Sequence, residues 1–480
     1  MVGARQRRAQ AMRIAKTSCL GPLRQYSQDM PRPTITAIAA LAIALSSARA
    51  TASSDISFPA ERLFTLGDQT EYGEFLGVLD VAINNQGDWA VQGGVFSESL
   101  GVNTQAVFTS FGANIAPRQT RLVDGVAHTQ LTFGDVDLNN AGQLAYSATL
   151  VNFEPLSLLQ VLVLNDQVIL RDEDLSSWDF IDGVDPVRFG SLRRVQLNDE
   201  GQVLLGSITN DLPPASTNNP NLLSVITPTE TGYVDRVAGA IGRPIPGWEQ
   251  TSLWFVRPDE FGFNNSGQVA HLGGYDSTTE PGVFRQLWTI DDEVLFQAGT
   301  PSPQPGLLWG STNAALDINN AGEWAASVPL GTTTFTRRHI VKNGTEVLID
   351  PFEPQDSIGG LNILPRDSGI VLTDAGDVLF FADIVDLKPD NSIQFIGAGV
   401  FLNRDPLIVL NETIIDGKLV VGSAAPGSGL GFAVSDDGRW LITWLEFEDQ
   451  SSGIYRFAIP TPGTVAILML GATAALRRRR

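Results

Sequence analysis

The sequence predicts an all-β fold: a seven-bladed β-propeller of four-stranded antiparallel blades, the last blade closed by the N-terminal strand. Three observations predict it. One turn motif recurs seven times, each copy lies in a unit that reads as four short strands, and the two ends of the repeat region are complementary fragments. A self-similar period of this kind outranks any local propensity in deciding fold class.

The first copy is Asn84-Asn85-Gln86-Gly87, with Ile83 before it and Trp89 two residues past the glycine. The later copies are anchored on Asn139 and Gly142, Asn198 and Gly201, Asn264 and Gly267, Asn319 and Gly322, Thr373 and Gly376, and Ser435 and Gly438. A type I turn favours Asn, Asp or Ser at its first position and Gly at its fourth. The first side chain accepts a backbone hydrogen bond from downstream, a role Thr and Ser fill more weakly. The glycine supplies positive φ and a one-residue bulge that matches strand twist. The motif glycines stand 54 to 66 residues apart. That exceeds the roughly 40 to 50 residues of a four-stranded propeller blade, and long loops account for the excess.

Within a unit, strand a enters the motif and strand b leaves it. In the fifth unit strand a is 314–319, strand b 323–328, strand c 338–342 and strand d 346–350, with a tight Asn343-Gly344 turn between c and d. The second and fourth units repeat the c–d hairpin around Asn165-Asp166 and Asp291-Asp292. The seventh unit stops after strand c, at 453–458, whereas 61–68 reads as an orphan strand d ahead of the first unit. Pairing the orphan with the vacancy closes a ring and removes two exposed sheet edges. An open solenoid would want capping repeats instead.

The chain divides into residues 1–52, 53–459 and 460–480. The first segment is an N-terminal extension, then a signal peptide opening at Met30: Arg32, the apolar run Ile35 to Leu45, and Ala48-Arg49-Ala50. That run is too short to anchor in a bilayer. The only cysteine, Cys19, precedes it, so the repeat body has no thiol for a disulfide, zinc site or nucleophile. Residues 1–52 hold eight of the 32 basic residues and one of the 53 acids, and the tail holds four arginines. The body keeps 20 basic and 52 acidic residues, net −32. Such a surface repels nucleic acid and anionic membrane.

The tail reads Pro460-Thr461-Pro462-Gly463, an apolar run from Thr464 to Leu476, then Arg477, Arg478, Arg479 and Arg480. It resembles the PEP-CTERM sorting signal, with Thr461 where that family has Glu. The resemblance implies transient contact with the inner membrane and an exosortase-like sorting enzyme as partner. The recurrent N-x-x-G-x-apolar-Ala/Leu unit resembles the choice-of-anchor tandem repeat proteins called NxxGxxAF-containing. That resemblance implies export through the inner membrane, display at the cell surface or outside the cell, and no established catalytic activity. The seventh copy, Ser435 to Trp440, is also similar to the Asp-box turn of sialidase-like propellers, which is structural there.

The a–b and c–d turns are short and uniform; the b–c and d–a connections are long and differ in every unit. Binding tends to live on variable loops held by a rigid scaffold, so the b–c/d–a face and the adjacent channel mouth form the expected working surface. Trp178, Trp248, Trp254 and Trp309 precede inner strands there and are candidates for stacking on sugar rings, or for packing between blades. Asp172, Asp174, Asp179 and Asp182 are a candidate oxygen-ligand set for Ca²⁺, although their spacing matches no EF-hand loop. His128, His271 and His339 fall in different units, and no H-E-x-x-H, G-x-S-x-G or Gly-Lys phosphate motif is present. No cofactor is expected. The first reading is a non-catalytic binding or structural module of the cell envelope or extracellular polysaccharide matrix, with polysaccharide or a surface protein as partner. The second is a polysaccharide-active hydrolase or lyase using carboxylates at the channel mouth.

Overall fold

The computed structural model describes residues 60–177, 187–209, 222–245, 248–252, 255–276, 284–291, 293–310, 315–332, 336–388, 392–424 and 431–459. The expected signal peptide and sorting tail lie outside these residues. Among the described residues there is no α-helix, and the strands form the seven blades of a β-propeller.

Blade 2 sets the pattern. Val126–Leu138, Leu144–Phe153, Leu156–Leu164 and Gln167–Arg171 pair in that order, all antiparallel. Blade 5 forms Ala315–Ile318, Trp324–Gly331, Thr336–Lys342 and Glu346–Ile349, each end within three residues of its expected place. Blade 1 departs most on the outside, where strand d is reduced to a single bridge between Val107 and Ile115. In blade 7 the inner strand is split into Lys418–Ser423 and Phe432–Val434, both pairing with Trp440–Phe447.

The ring closes as expected. Ala60–Thr65 pairs antiparallel with Ser452–Ala458, placing Ala60 opposite Phe457 and Thr65 opposite Gly453. The closing strand also seals the gap to blade 1: the Phe64 ring stacks on Phe75 at 5.1 Å and lies 5.0 Å from Phe108. Seven apolar clusters among the described residues each join one pair of neighbouring blades. The core is therefore a set of seams between sheets, and each seam depends on both of its blades.

The motif turn has the expected chemistry. In blade 1, Gly87 N donates to Asn84 O at 3.0 Å, while Asn84 Oδ1 accepts from Gln86 N at 3.1 Å and Asp88 N at 2.9 Å. All seven motif glycines have φ between +71° and +81°. A second device recurs in the c–d turns. Asn165, Asp291, Asn343 and Asn403 each donate their backbone N–H to the first residue of strand b and accept its N–H on the side chain. The two turns of these blades are thereby stitched together at one end of the ring, the motif end.

A Cβ at Gly87 would lie 2.9 Å from the Trp440 ring of blade 7, whereas one at Gly142 meets nothing within 4 Å. Both substitutions force a side chain into left-handed backbone, which costs about 1–2 kcal/mol. Gly142→Val is expected to stop there. Gly87→Val adds a clash at the closing seam, for a total of roughly 3 kcal/mol. Denaturant unfolding of the two variants measures the difference, and equal losses would remove the steric part of this account.

Candidate functional site: the axial channel

The inner strands converge at their motif ends, and the side chains there line a channel of about 290 Å³ along the propeller axis. The expected working surface is the opposite, variable face; the convergent polar groups of the axial channel lie at the motif end. The reason is geometric. Strand a of every blade points its last residues at the axis just before the turn, so the repeat concentrates its own polar side chains there.

Two tiers of polar groups line the channel. The outer tier is the second motif position. Asn85 N donates to Asn140 Oδ1 (2.7 Å), Asn140 N to Asp199 Oδ1 (2.8 Å), Asp199 N to Asn265 Oδ1 (2.8 Å), Asn265 N to Asn320 Oδ1 (2.7 Å) and Asn320 N to Asp374 Oδ1 (3.0 Å). Each blade thus holds the side chain of the next. The first motif position adds a parallel series, in which Asn84, Asn139, Asn198, Asn264 and Asn319 donate Nδ2 to the backbone carbonyl of the following blade's first position. The conspicuous first Asn is therefore both a turn residue and a tie between blades.

The inner tier is acidic. Asp80 accepts from Val81 N and from Val136 N of blade 2, at 2.9 and 2.8 Å. Asp137 accepts from Leu138 N and Leu197 N, and Asp317 from Ile318 N and Leu372 N. Each carboxylate clamps its own strand to that of the next blade. Gln196 makes a weaker version, with Nε2 3.5 Å from Phe261 O. Gly262 stands at the blade-4 position because Asp317 Oδ1 would come within 2.6 Å of a Cβ there.

These acids are crowded. Asp135, Asp374 and Asp436 also line the channel, Asp199 stands beside them in the outer tier, and Arg194, 3.5 Å from Asp135, is the basic residue of the described lining. Burial pushes the Asp137 and Asp317 carboxyls up to about 6. Burial, then Asp135, raises Asp80 well above the carboxylate range. Asp436 is pushed up to about 7, by loss of solvation first and then by Asp374, Asp199, Asp137 and Asp317. A carboxyl that holds its proton more tightly when folded stabilises the fold fully below its unfolded value and loses that contribution as pH rises through the folded value. The thermal midpoint is therefore expected to fall between about pH 4 and pH 7, by on the order of 5 °C across four such groups. A calorimetric series from pH 5 to pH 8 tests this; a midpoint that rises over that range would contradict the assignment.

The other candidate residues fare differently. Trp309 is buried and stacks on Phe296 at 4.0 Å, with Trp288 and Trp324 on the same phenyl ring at 4.5 and 5.4 Å. It seals the seam between blades 4 and 5 and offers no face to a ligand, which corrects its place among the candidate sugar-stacking residues. Trp248 opens the short strand Trp248–Ser252; Trp178 and Trp254 lie outside the described residues. Asp174 accepts the Arg171 N–H at 2.8 Å and lies 3.4 Å from its guanidinium, so it caps a turn. Burial raises the Asp172 carboxyl, and Asp179 and Asp182 lie outside the described residues. Among the described residues no group of three or more His, Cys, Asp or Glu is placed to hold a metal ion. His128, His271 and His339 are buried in blades 2, 4 and 5 and meet different partners: Val126 O, Thr289 Oγ1 and Arg337 O. They form no constellation.

The fold and the axial channel define a seven-bladed propeller whose convergent polar groups tie its blades together. No family model matches the chain, and no curated protein matches it. Solved structures match at the level of fold. The β-propeller domain of the Trilobed protease from Pyrococcus furiosus is 9% identical at a TM-score of 0.37, covering 80% of this chain and 94% of that one. A polysaccharide lyase of family PL25, an ulvan lyase, is 11% identical at 0.34, covering 82% and 96%. Trypanosoma rangeli sialidase is 9% identical at 0.30; the match covers 88% of this chain and 62% of the sialidase.

Proposed function

We propose that the protein is an exported, surface-displayed repeat module that binds a component of the cell envelope or extracellular matrix without catalysing a reaction. The observation that carries the reading is a pair of apolar hairpins. The b–c hairpin of blade 2 exposes Phe153, Leu156 and Leu158 at 64%, 76% and 65%, and that of blade 6 exposes Ile393 and Phe395 at 42% and 59%. Apolar side chains exposed in groups mark interaction surfaces. They project from the variable face. Ala60 and Ile459 lie at the motif end, where Ala60 pairs with Phe457 and Ile459 N bonds Arg439 O. Attachment through residues 460–480, by the sorting route that the tail resembles, leaves both hairpins facing outward.

The tied state of the axial acids also supports a non-catalytic reading. Asp80, Asp137 and Asp317 each spend their oxygens on backbone amides, and a channel of about 290 Å³ is at the small end of ligand pockets. The test is retention of the protein on its own cell surface or matrix, compared between wild type and Phe153→Ser/Leu156→Ser/Phe395→Ser. The wild type is expected to be retained and the triple variant released with an unchanged melting point; equal retention would refute the reading. Asp436 supports a second reading, a polysaccharide hydrolase or lyase, because a raised acid in a cleft suits proton transfer. Turnover of a polysaccharide panel by wild type, abolished in Asp436→Asn, would establish that reading over the first.

A further inference from the structure

The seventh motif turn is built one residue longer than the others. In blade 1, Ile83 pairs with Trp89 and Asn84 N bonds Asp88 O. In blade 7, Val434 pairs with Leu441, Ser435 N bonds Trp440 O, and Trp440 N bonds Ser435 Oγ. A one-residue slip re-aims the side chains around it. Here it hands the link to blade 1 from the second motif position to the third: Asp437 N, not Asp436 N, donates to Asn85 Oδ1 at 2.9 Å. On the other side, Asp374 N donates to the backbone oxygen of Asp436 at 2.6 Å. Six second-position side chains accept an inter-blade bond. The Asp436 carboxylate is displaced from that ring into the axial mouth, where Oδ2 lies 3.5 Å from Asn140 Nδ2, reaching past blade 1 to blade 2.

We infer that Asp436 is a proton-operated latch on the axial mouth, holding blade 7 against its neighbours when protonated and loosening that seam when ionised. This inference is independent of the proposed binding function. The groups that face Asp436 are Asp374 and Asp199 in the outer tier, and Asp137 and Asp317 in the inner tier. Asp80, Asp135 and Arg194 line the same channel, the last lying against Asp135. No cation in that set is directed at Asp436. The charged groups around an ionised carboxylate there are all of like sign, the long Asn140 Nδ2 contact being its neutral donor, and like charges that share a site resist joint ionisation. A neutral carboxyl carries one O–H and can donate it to a neighbouring carboxylate. Ionisation removes that donor and adds repulsion at the same step. Two links bear the strain: Asp374 N to Asp436 O, and Asp437 N to Asn85 Oδ1. They hold blade 7 on its two sides, the first to blade 6 and the second to blade 1.

The sign is fixed by the raised folded-state value of about 7. Stability from this group is complete only below about pH 4 and is lost progressively as pH rises from there through about 7. Asp137 and Asp317 titrate near 6 and Asp80 is raised as well, so the difference between wild type and Asp436→Asn, rather than the slope of either, isolates Asp436.

Thermal midpoints of wild type and Asp436→Asn, measured at half-unit steps from pH 5 to pH 8.5 in constant salt, test the latch. Wild type is expected to lose a few degrees between pH 6 and pH 8, and the variant to lose clearly less across that interval while keeping the decline below pH 6. A variant that follows the wild-type slope from pH 6 to pH 8 overturns the inference. Should the variant fail to fold, amide exchange in the wild type decides the matter. The ratio of exchange at Asp374 and Asp437 to that at Asn265, a link on the far side of the ring, is expected to rise at least threefold from pH 6 to pH 8. A constant ratio overturns the latch, since intrinsic base catalysis cancels in it.

Discussion

A chain beginning at Leu66, lacking the closing strand, is expected to unfold at least about 5 °C below wild type and to aggregate in proportion to its concentration. Phe64 alone sets much of this scale. It sits against Phe75 and Phe108, and within 5.9 Å of Trp89, and truncating such a ring costs about 3–5 kcal/mol. With an unfolding entropy near 2 cal/mol/K per residue, some 400 residues convert that to about 4–6 °C. The deletion also strips the ladder from Ser452–Ala458 and bares its hydrogen-bonding edge. Light scattering and calorimetry on the truncated chain and on Phe64→Ala separate the contributions. The point variant is expected to melt early but remain soluble, while the deletion does both harms. A truncated chain with wild-type melting would mean that blade 7 is complete without its fourth strand.

Asn264→Ala is expected to cost about 3 kcal/mol, the largest loss from any single polar truncation in the ring. Asn264 is 2% exposed. Its Oδ1 accepts from Ser266 N at 3.1 Å and Gln268 N at 2.9 Å, and its Nδ2 donates to Asn319 O at 3.1 Å and Gln268 Oε1 at 2.9 Å. Alanine leaves those partners buried without replacement, and each unsatisfied group costs about 1–3 kcal/mol. Asn264→Ser is expected to lose roughly half as much. The protein already carries that experiment, since Thr373 Oγ1 accepts from Asp377 N at 3.1 Å and Ser435 Oγ from Trp440 N at 3.0 Å. Neither can donate an amide to the next blade. Urea unfolding of both variants measures the difference, and equal losses would show that the tie to blade 5 contributes nothing.

The turn was legible because its chemistry is local. Asn at the first position and Gly at the fourth define a hairpin whatever surrounds them, and in-phase repetition supplied the ring. The closing strand was legible by subtraction, as an orphan at one end and a gap at the other. The inter-blade role of the second motif position was not, because a side chain that bonds a residue about 55 places away looks the same in sequence as one facing water. A weaker signal existed: Asp137 and Asp317 both stand two residues before their motif Asn, and an acid at a strand position that should face the axis needs a partner. Trp309 left two readings open for a related reason. An aromatic ahead of an inner strand packs or binds according to what lies opposite, and Phe296 belongs to the preceding strand d. The slip in blade 7 was invisible, since Ser435 to Trp440 has the same length as every other copy and differs only in how it pairs.

Glu61 and Arg456 meet across the closing ladder although 395 residues separate them. At equilibrium so long a loop costs only slightly more than a short one, because closure entropy grows with the logarithm of length. Kinetics are less forgiving, since distant strand pairing is slow and an unpaired edge invites the wrong neighbour. A nascent chain therefore carries its first strand unmated through nearly the whole of its synthesis. Two molecules that trade those strands would each regain a full set of contacts, giving an interlinked dimer of otherwise ordinary rings at high protein concentration.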